Sequence, residues 1–177
     1  MMTGHEVVKL RVNFKTLEEF ENFREYGQQE LSMKEDLEEN IVENDSESPF
    51  YGVYFGNKLV GRMSLYKINA KYDQYFDPPH DYLELWKLEV LPGYQGKGIG
   101  NAMVEYAKSF GLPVKTNARQ RSDDFWKKQA FSPLTYQTDR DRGENPYVWL
   151  PEGVKEKLHV QEKAVQAKSE PIENEET

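Results

Sequence analysis

The feature that most constrains this chain is a cluster of glycines between a predicted strand and a predicted helix. Three of its 12 glycines fall within residues 95–100, which read QGKGIG. The preceding run YLELWKLEV, residues 82–90, has the apolar content of a strand buried on both faces. From Ile99 onward, apolar residues recur at helical spacing up to Gly111. Glycines at such a junction leave backbone N–H groups accessible at the start of a helix, where a phosphate or pyrophosphate can bind. The alternative is a tight turn that needs glycine for its shape alone.

The spacing of the glycines excludes two common phosphate-binding loops. A dinucleotide-binding G-x-G-x-x-G counted from Gly96 needs a third glycine where the chain has Asn101. The Walker pattern needs serine or threonine after its lysine, but Gly98 follows Lys97. A third pattern, Q/R-x-x-G-x-G/A, is matched at every position from Gln95 to Gly100.

The composition excludes several other classes of function. The net charge of -8 argues against nucleic-acid binding, which needs a basic surface. The chain has no cysteine, which excludes disulfides and a cysteine nucleophile, and its three histidines are too far apart in sequence to suggest a metal site. We recognise no signal peptide and no apolar run near the roughly 18 residues of a spanning helix, so we expect a cytoplasmic protein without a membrane partner.

The rest of the chain predicts a mixed α/β domain. Residues 8–14 alternate apolar and polar side chains, as a half-buried strand does. Capping boxes at Thr16 and Ser32 predict two helices, with Met33, Leu37 and Ile41 on one face of the second. The later predicted elements are a hairpin at 50–68 turned at Gly56-Asn57, a strand at 113–118, a helix capped by Ser122, and closing strands at 131–136 and 147–150. The resulting order is β-α-α-β-β-β-α-β-α-β-β.

The stretch LEVLPGYQGKGIG, residues 88–100, resembles the coenzyme-binding motif of the GCN5-related N-acetyltransferases, the GNAT superfamily. Asn117 followed by DDFWKKQAF, residues 123–131, is similar to the later segment N…FYEKLGF of that family. The likeness is to small bacterial members of unassigned substrate. It implies a central mixed, mostly antiparallel sheet flanked by helices. We expect one such domain over residues 1–159, followed by a mobile, polar, acidic tail over 160–177.

The resemblance implies acetyl-coenzyme A as the donor and a small-molecule or peptide amine as the acceptor, with no metal; a homodimer is an option. Backbone N–H groups of the glycine loop would hold the pyrophosphate. The preceding strand would bind the pantetheine arm through its backbone, and an asparagine on the next strand would contact the arm. The loop residues are Gln95, Gly96, Lys97, Gly98, Ile99 and Gly100; the strand residues are Leu88, Val90 and Asn117.

Direct acetyl transfer in a ternary complex needs a base that takes a proton from the amine. Glu84 is the first candidate, because some family members carry a catalytic glutamate at this place, and Glu89 is the second. A purely structural or solvated Glu84 is the alternative. Many relatives have a tyrosine acid where this chain has Trp126, whose indole cannot deliver a proton. We therefore expect Trp126 to pack, and protonation to fall to water or to another tyrosine such as Tyr136.

Two questions stay open at this level. The loop over residues 69–81 contains aromatic side chains that could line the acceptor site or could pack on one another at the surface. They are Tyr72, Tyr75 and Phe76. The tryptophan at the usual tyrosine position also leaves room for a non-catalytic acyl-coenzyme A-binding or regulatory protein on the same fold.

Overall fold

The structure is a computed structural model that describes residues 5–23, 33–35, 37–38, 48–118, 122–141 and 145–160. The chain divides into two compact units. The first comprises Met1–Tyr66 with Leu85–Ser109, and the second comprises Lys67–Glu84 with Phe110–Thr177. Both contain helices and mostly antiparallel strand pairs, as the sequence predicts. In the described part of the chain, no helix has the length and apolar character needed to cross a membrane.

The first unit is a sheet with helices packed on it. Its elements are β1 (Val7–Lys9), α1 (Phe14–Phe20), β2 (Phe50–Phe55), β3 (Lys58–Ile68) up to Tyr66, the last six residues of β5 (Tyr82–Val90), and α2 (Ile99–Lys108). The strand order is β1-β2-β3-β5, and β2 is antiparallel to both β1 and β3. The hairpin and the strand at 82–90 lie where the sequence predicts them.

Helix α1 begins earlier than predicted. Asn13, not Thr16, is its N-cap, and the Asn13 side chain accepts a hydrogen bond of 2.9 Å from the backbone N–H of Thr16. The extended backbone at Asn13 lets its amide oxygen reach that N–H, so the helix begins before the predicted capping box. Residues 33–35 and 37–38 are helical, and Met33 and Leu37 are buried as predicted; Ser32 and Ile41 lie outside the described residues.

Helix α2 is held close to the sheet at a glycine of β3. A Cβ built on Gly61 would lie 2.8 Å from Cγ2 of Ile99 and 3.0 Å from Cε of Met103. Ile99 and Met103 are both fully buried, so the apolar face of α2 sits directly on the β3 backbone. This contact fixes the first turn of α2, and therefore the glycine loop that precedes it.

The second unit is built from short strands and two short helices. Its elements are β4 (Phe76–Asp77), residues 82–84 of β5, β6 (Val114–Ala118), α3 (Asp123–Lys128), β7 (Ser132–Pro133), β8 (Asn145–Trp149), α4 (Glu152–Lys155) and β9 (His159–Val160). Strand β8 is antiparallel to β6 on one side and to β7 on the other, while β4 pairs with β9. The core comprises Tyr75, Phe76, Tyr82, Leu134, Val148 and Leu158.

The stretch 69–81, which the sequence analysis treats as a loop, contains the short strand β4 at Phe76 and Asp77. They pair with Val160 and His159, a partner segment far along the chain that local patterns do not reveal. The predicted tail, apart from Val160, lies outside the described residues.

Candidate active site

The glycine loop has the backbone geometry that an anion site requires. A 3₁₀ turn, Pro92–Tyr94, leads from β5 into the loop. Gly96 and Gly98 have φ of 78° and 87°, a left-handed conformation that other residues rarely adopt. A Cβ added at either glycine would meet no atom within 4 Å, so the space beside the backbone is open.

Gly98 is also the N-cap of α2, and as a glycine it has no side chain with which to cap the helix. The first N–H groups of an α-helix have no acceptor within the helix, and the helix dipole makes this end positive. An uncapped N-terminus beside open space fits a pyrophosphate, which would accept hydrogen bonds from these groups.

Two hydrogen bonds anchor the loop, one at its first residue and one at its third. Gln95 donates from Nε2 to the carbonyl oxygen of Val90 at 2.9 Å, and His5 donates from Nε2 to the carbonyl oxygen of Lys97 at 2.9 Å. The first bond joins the loop to the end of β5. The second joins it to the N-terminal segment of the same unit, a contact that the sequence does not predict.

Strand β5 is irregular immediately before its coenzyme-motif residues. Lys87 has a φ of 64°, which is uncommon for a residue with a side chain. The carbonyl oxygen of the preceding Trp86 accepts a hydrogen bond from the Ser64 hydroxyl of β3. Irregularities of this kind, such as β-bulges, locally disturb the hydrogen bonding of a sheet. It precedes Leu88 and Val90, the two residues expected to pair with the pantetheine arm.

Glu89, the second candidate base, is held in an ion pair. Its Oε1 lies 3.0 Å from Nη2 of Arg62, a side chain with no exposed surface. The guanidinium carbon of Arg62 lies 4.7 Å and 4.4 Å from the ring centroids of Phe20 and Phe23. Glu89 therefore neutralises a cation buried among aromatic rings, and this structural role weakens its case as the base.

Glu84, the first candidate, is paired in the second unit with Lys115 of β6. The distance from Nζ of Lys115 to Oε2 of Glu84 is 2.9 Å. The Lys115 side chain is 5% exposed, whereas that of Glu84 is 25% exposed. Solvent or a ligand can thus reach the glutamate but hardly the lysine.

The Glu84–Lys115 pair belongs to a larger group of buried charges. This polar cluster comprises Tyr75, Glu84, Lys115, Arg140 and Asp141. Lys115 Nζ lies 4.9 Å, and the Arg140 guanidinium carbon 4.4 Å, from the centroid of the Tyr75 ring. The Tyr75 hydroxyl donates to Oδ1 of Asp141 at 2.7 Å, and Arg140 donates to both oxygens of that carboxylate at 3.1 Å.

The pKa shifts in this cluster have clear physical causes. Burial, reinforced by the hydrogen bond to Asp141, raises the pKa of Tyr75 well above its usual range, so the hydroxyl stays a donor. Burial and the nearby charge of Glu84 raise the pKa of Tyr82 in the same direction. Burial alone would raise the pKa of Asp141, but the bonds from Arg140, Gln137 and Tyr75 outweigh it and lower that pKa.

Tyr136, the candidate acid, lies beside the polar cluster. Its hydroxyl donates to the backbone carbonyl of Asp141 at 3.2 Å, and its side chain is partly exposed. In the loop over 69–81, Tyr75 and Phe76 are buried in the core, while Tyr72 is exposed. Packing in the core therefore explains why Tyr75 and Phe76 are present in this loop, but it does not explain Tyr72.

Trp126 packs as predicted. It is buried on α3, with its ring centroid 4.9 Å from that of Phe125 and 5.0 Å from that of Phe131. Tyr147 of β8 is buried and hydrogen-bonded to Asp123 at the start of this helix. Its pKa is raised, mainly by burial and also by the bond to Asp123.

Asn117 on β6 provides a separate sign that a ligand is needed. Its Oδ1 is buried and has no hydrogen-bond partner within the part of the chain that the structure describes, which is unfavourable unless a ligand supplies a donor. The pantetheine arm carries amide N–H groups of the required kind. The open glycine cradle by itself fits the pyrophosphate of coenzyme A, and the amide oxygen of Asn117 by itself fits an N–H of the arm. Within the described ranges, no three histidine, aspartate or glutamate side chains are grouped so as to hold a metal ion.

Comparison with known proteins agrees with the geometry. The model of the acetyltransferase (GNAT) family matches residues 13–131. An uncharacterized N-acetyltransferase of Halalkalibacterium halodurans is 72% identical over 161 residues, covering 91% of this chain and 95% of that protein.

Solved structures show the same similarity. The Bacillus subtilis N-acetyltransferase YlbP, crystallised in complex with coenzyme A, is 59% identical with a TM-score of 0.71, covering 84% of this chain and 97% of that one. A PaiA N-acetyltransferase of Thermoplasma acidophilum, also in complex with coenzyme A, shares the fold at 21% identity with a TM-score of 0.58, covering 82% and 98%.

Proposed function

Because the chain belongs to the acetyltransferase (GNAT) family, we propose that its glycine loop and Asn117 each bind the coenzyme and that Glu84 is the base for transfer of an acetyl group to an amine. The protein is an N-acetyltransferase that uses acetyl-coenzyme A, and its family acetylates small-molecule or peptide amines. The observation that supports the proposal best is the uncapped, open glycine cradle at the start of α2.

Coenzyme binding is assigned mainly to the backbone. The N–H groups from Gln95 to Gly100 would hold the pyrophosphate, and Leu88 and Val90 would offer main-chain groups to the pantetheine arm. Val90 already accepts one hydrogen bond from Gln95, so its N–H is the group we assign to the ligand. Asn117 would satisfy its buried Oδ1 with an amide N–H of the arm.

The chemistry needs a neutral amine and a place for its proton. Bound acetyl-coenzyme A supplies the acetyl group as a thioester, and the sulfur keeps the electron pair of the broken C–S bond. We assign to Glu84 the proton that the amine nitrogen loses as it bonds to the acetyl carbon. Oε2 is held by Lys115, while Oε1 has no hydrogen-bond partner among the described residues, so Oε1 is the oxygen that would take it. The proton then passes to solvent, which reaches Glu84.

The role of general acid is assigned to water or to Tyr136. Trp126 is excluded because an indole N–H does not deliver a proton, and its ring is buried. The partly exposed hydroxyl of Tyr136 can exchange its proton with solvent.

The experiment is release of the coenzyme A thiol with a panel of amines: agmatine, spermidine, lysine and a pentapeptide with a free N-terminus. Glu84→Gln should lower kcat by about 100-fold, the scale of general base catalysis, with coenzyme affinity changed by less than about twofold. Glu105→Gln, which removes an exposed carboxylate of α2, is the matched control and should behave as the wild type. An unchanged kcat in Glu84→Gln would exclude Glu84 as the base. Tight binding of acetyl-coenzyme A without turnover of any amine would favour a regulatory binding protein.

Location and assembly belong to the same proposal. A cytoplasmic location is consistent with the acidic, cysteine-free composition. A homodimer is an option that sedimentation of the purified chain would test.

A further inference from the structure

Lys115 is the least expected member of the polar cluster. It lies on β6 with its ammonium almost wholly removed from solvent, where a charge is costly unless it is paired. A buried ion pair is seldom more stable than apolar residues of the same size. Stability alone therefore gives little reason for a lysine here, and its geometry points to another role.

The position of the ammonium is fixed from two sides. On one side Nζ donates to Oε2 of Glu84 at 2.9 Å, and on the other it lies 4.9 Å from the centroid of the Tyr75 ring. That ring is itself held by the hydroxyl bond to Asp141 and by the Arg140 guanidinium on its face. A cation lying against an aromatic face is attracted to it, most strongly where water is excluded.

The charges of the cluster balance. Lys115 and Arg140 are positive, Glu84 and Asp141 are negative, and the nearby Tyr75 and Tyr82 are neutral, with Tyr75 donating to Asp141. Arg140 bonds Asp141 through both carboxylate oxygens, whereas Lys115 bonds Glu84. Lys115 is thus the cation that holds the Glu84 carboxylate.

We propose that Lys115 is a positioning residue for the catalytic base: it holds Oε2 of Glu84, so that the carboxylate cannot rotate and Oε1 is presented to the proton of the acceptor amine. This inference rests on the proposed function of Glu84. Proton transfer depends steeply on the placement of the accepting atom, so a loosened carboxylate lowers kcat while the coenzyme still binds.

A double-mutant cycle tests the inference, with Lys115→Met, Glu84→Gln and the variant that carries both. Thiol release is measured at saturating acetyl-coenzyme A with agmatine, with the free pentapeptide and with water as the only acceptor. Lys115→Met should lower kcat by about 20-fold, with coenzyme affinity by calorimetry within about twofold of the wild type. Lys115→Arg should recover most of the loss, because a guanidinium can hold the same oxygen.

The double variant gives the deciding result. A residue that acts through Glu84 has nothing left to position in Glu84→Gln, so the double variant should be no slower than Glu84→Gln alone. Equal losses from Lys115→Met in both backgrounds would show a general structural role and would overturn the inference, as would a full kcat in Lys115→Met. A fully active Glu84→Gln would instead refute the proposed base, which is a distinguishable failure.

Folding is followed in the same variants. If Lys115→Met does not give a cooperative thermal transition, Lys115→Gln replaces it, since its amide N–H can still donate to Glu84 without a charge. Lys115→Gln should lose about fivefold in kcat and fit the same cycle. Retention of full kcat by Lys115→Gln together with a loss in Lys115→Arg would contradict the positioning role.

Discussion

The glycine loop and the polar cluster are built in opposite ways. The loop consists of six consecutive residues, and its proposed role depends on their backbone N–H groups. The lack of side chains at Gly96 and Gly98 is essential to its shape. The polar cluster joins five side chains from four separate segments, and every one of them carries a charge or a hydroxyl that has a partner. The loop is therefore sensitive to added atoms, and the polar cluster is sensitive to removed charges.

We expect the glycine loop to affect ligand binding and the polar cluster to affect the stability of the fold. We propose that the loop gives its N–H groups to the coenzyme, so we expect it to contribute to ligand affinity more than to folding. The polar cluster is already satisfied in the free protein, so removing one member leaves another uncompensated in a buried place. Mutations in the glycine loop should therefore change the coenzyme affinity measured by calorimetry, and mutations in the polar cluster should change the Tm.

The largest effect is expected from Asp141→Asn. Arg140 has a fully buried side chain, and Asp141 is its anionic partner in the polar cluster. Leaving a buried cation without its anion costs about 3 to 5 kcal/mol, which lowers Tm by about 10 °C in a chain of this size. The loss is measured by thermal unfolding of Asp141→Asn, with Asp139→Asn, a change at an exposed neighbour, as the control. A loss no larger than that of the control would show that the polar cluster does not stabilise the fold.

The same carboxylate predicts how stability depends on pH. The pKa of Asp141 is lower in the folded protein than in the unfolded chain, so its contribution is fully present above the ordinary aspartate value of about 3.9. It is lost as the pH falls through the lower folded value. The wild type should therefore lose a stabilising contribution in acid that Asp141→Asn never had, and their Tm values should converge below about pH 4.

The next largest effect is expected from Gly98→Asp. The substitution puts a side chain where φ is 87° and a negative charge where the pyrophosphate is proposed to bind. Coenzyme A affinity measured by calorimetry should fall by at least about 100-fold, or about 2.7 kcal/mol. Gly56→Asp is the matched control, because Gly56 also has a positive φ, 67°, and open space, but lies in the β2–β3 turn. It should lose similar stability and keep its affinity; equal affinity in both variants would refute the loop assignment.

The two regions also differ in what the sequence could reveal. The loop is contiguous, so the spacing of Gln95, Gly98 and Gly100 was sufficient to predict it together with its strand and helix. The hairpin at 50–68 was equally local, since Gly56-Asn57 marks its turn. Glu84 and Tyr136 could be selected as candidates from the sequence, and their roles stay predictions.

The polar cluster could not be predicted, because nothing local distinguishes its lysine and arginine from solvated charges. Lys115 alternates along β6 like an exposed residue, yet Tyr75 and Glu84 enclose it. The positive φ of Lys87 is similarly hidden, since lysine is not a residue that favours it. Tertiary packing determined these features, and only packing could show them.

The smallest expected effect concerns the anchor of the loop. His5 donates to the carbonyl of Lys97, so His5→Ala removes a support of the glycine loop and adds no atom to it. An exposed hydrogen bond contributes about 0.5 to 1 kcal/mol, so coenzyme A should bind about threefold more weakly. His159→Ala, an exposed histidine of β9, is the control and should not change the affinity. A loss in His5→Ala as large as that in Gly98→Asp would mean that the loop depends on side-chain support as the polar cluster does. A small loss would show that the backbone of the loop holds its shape on its own.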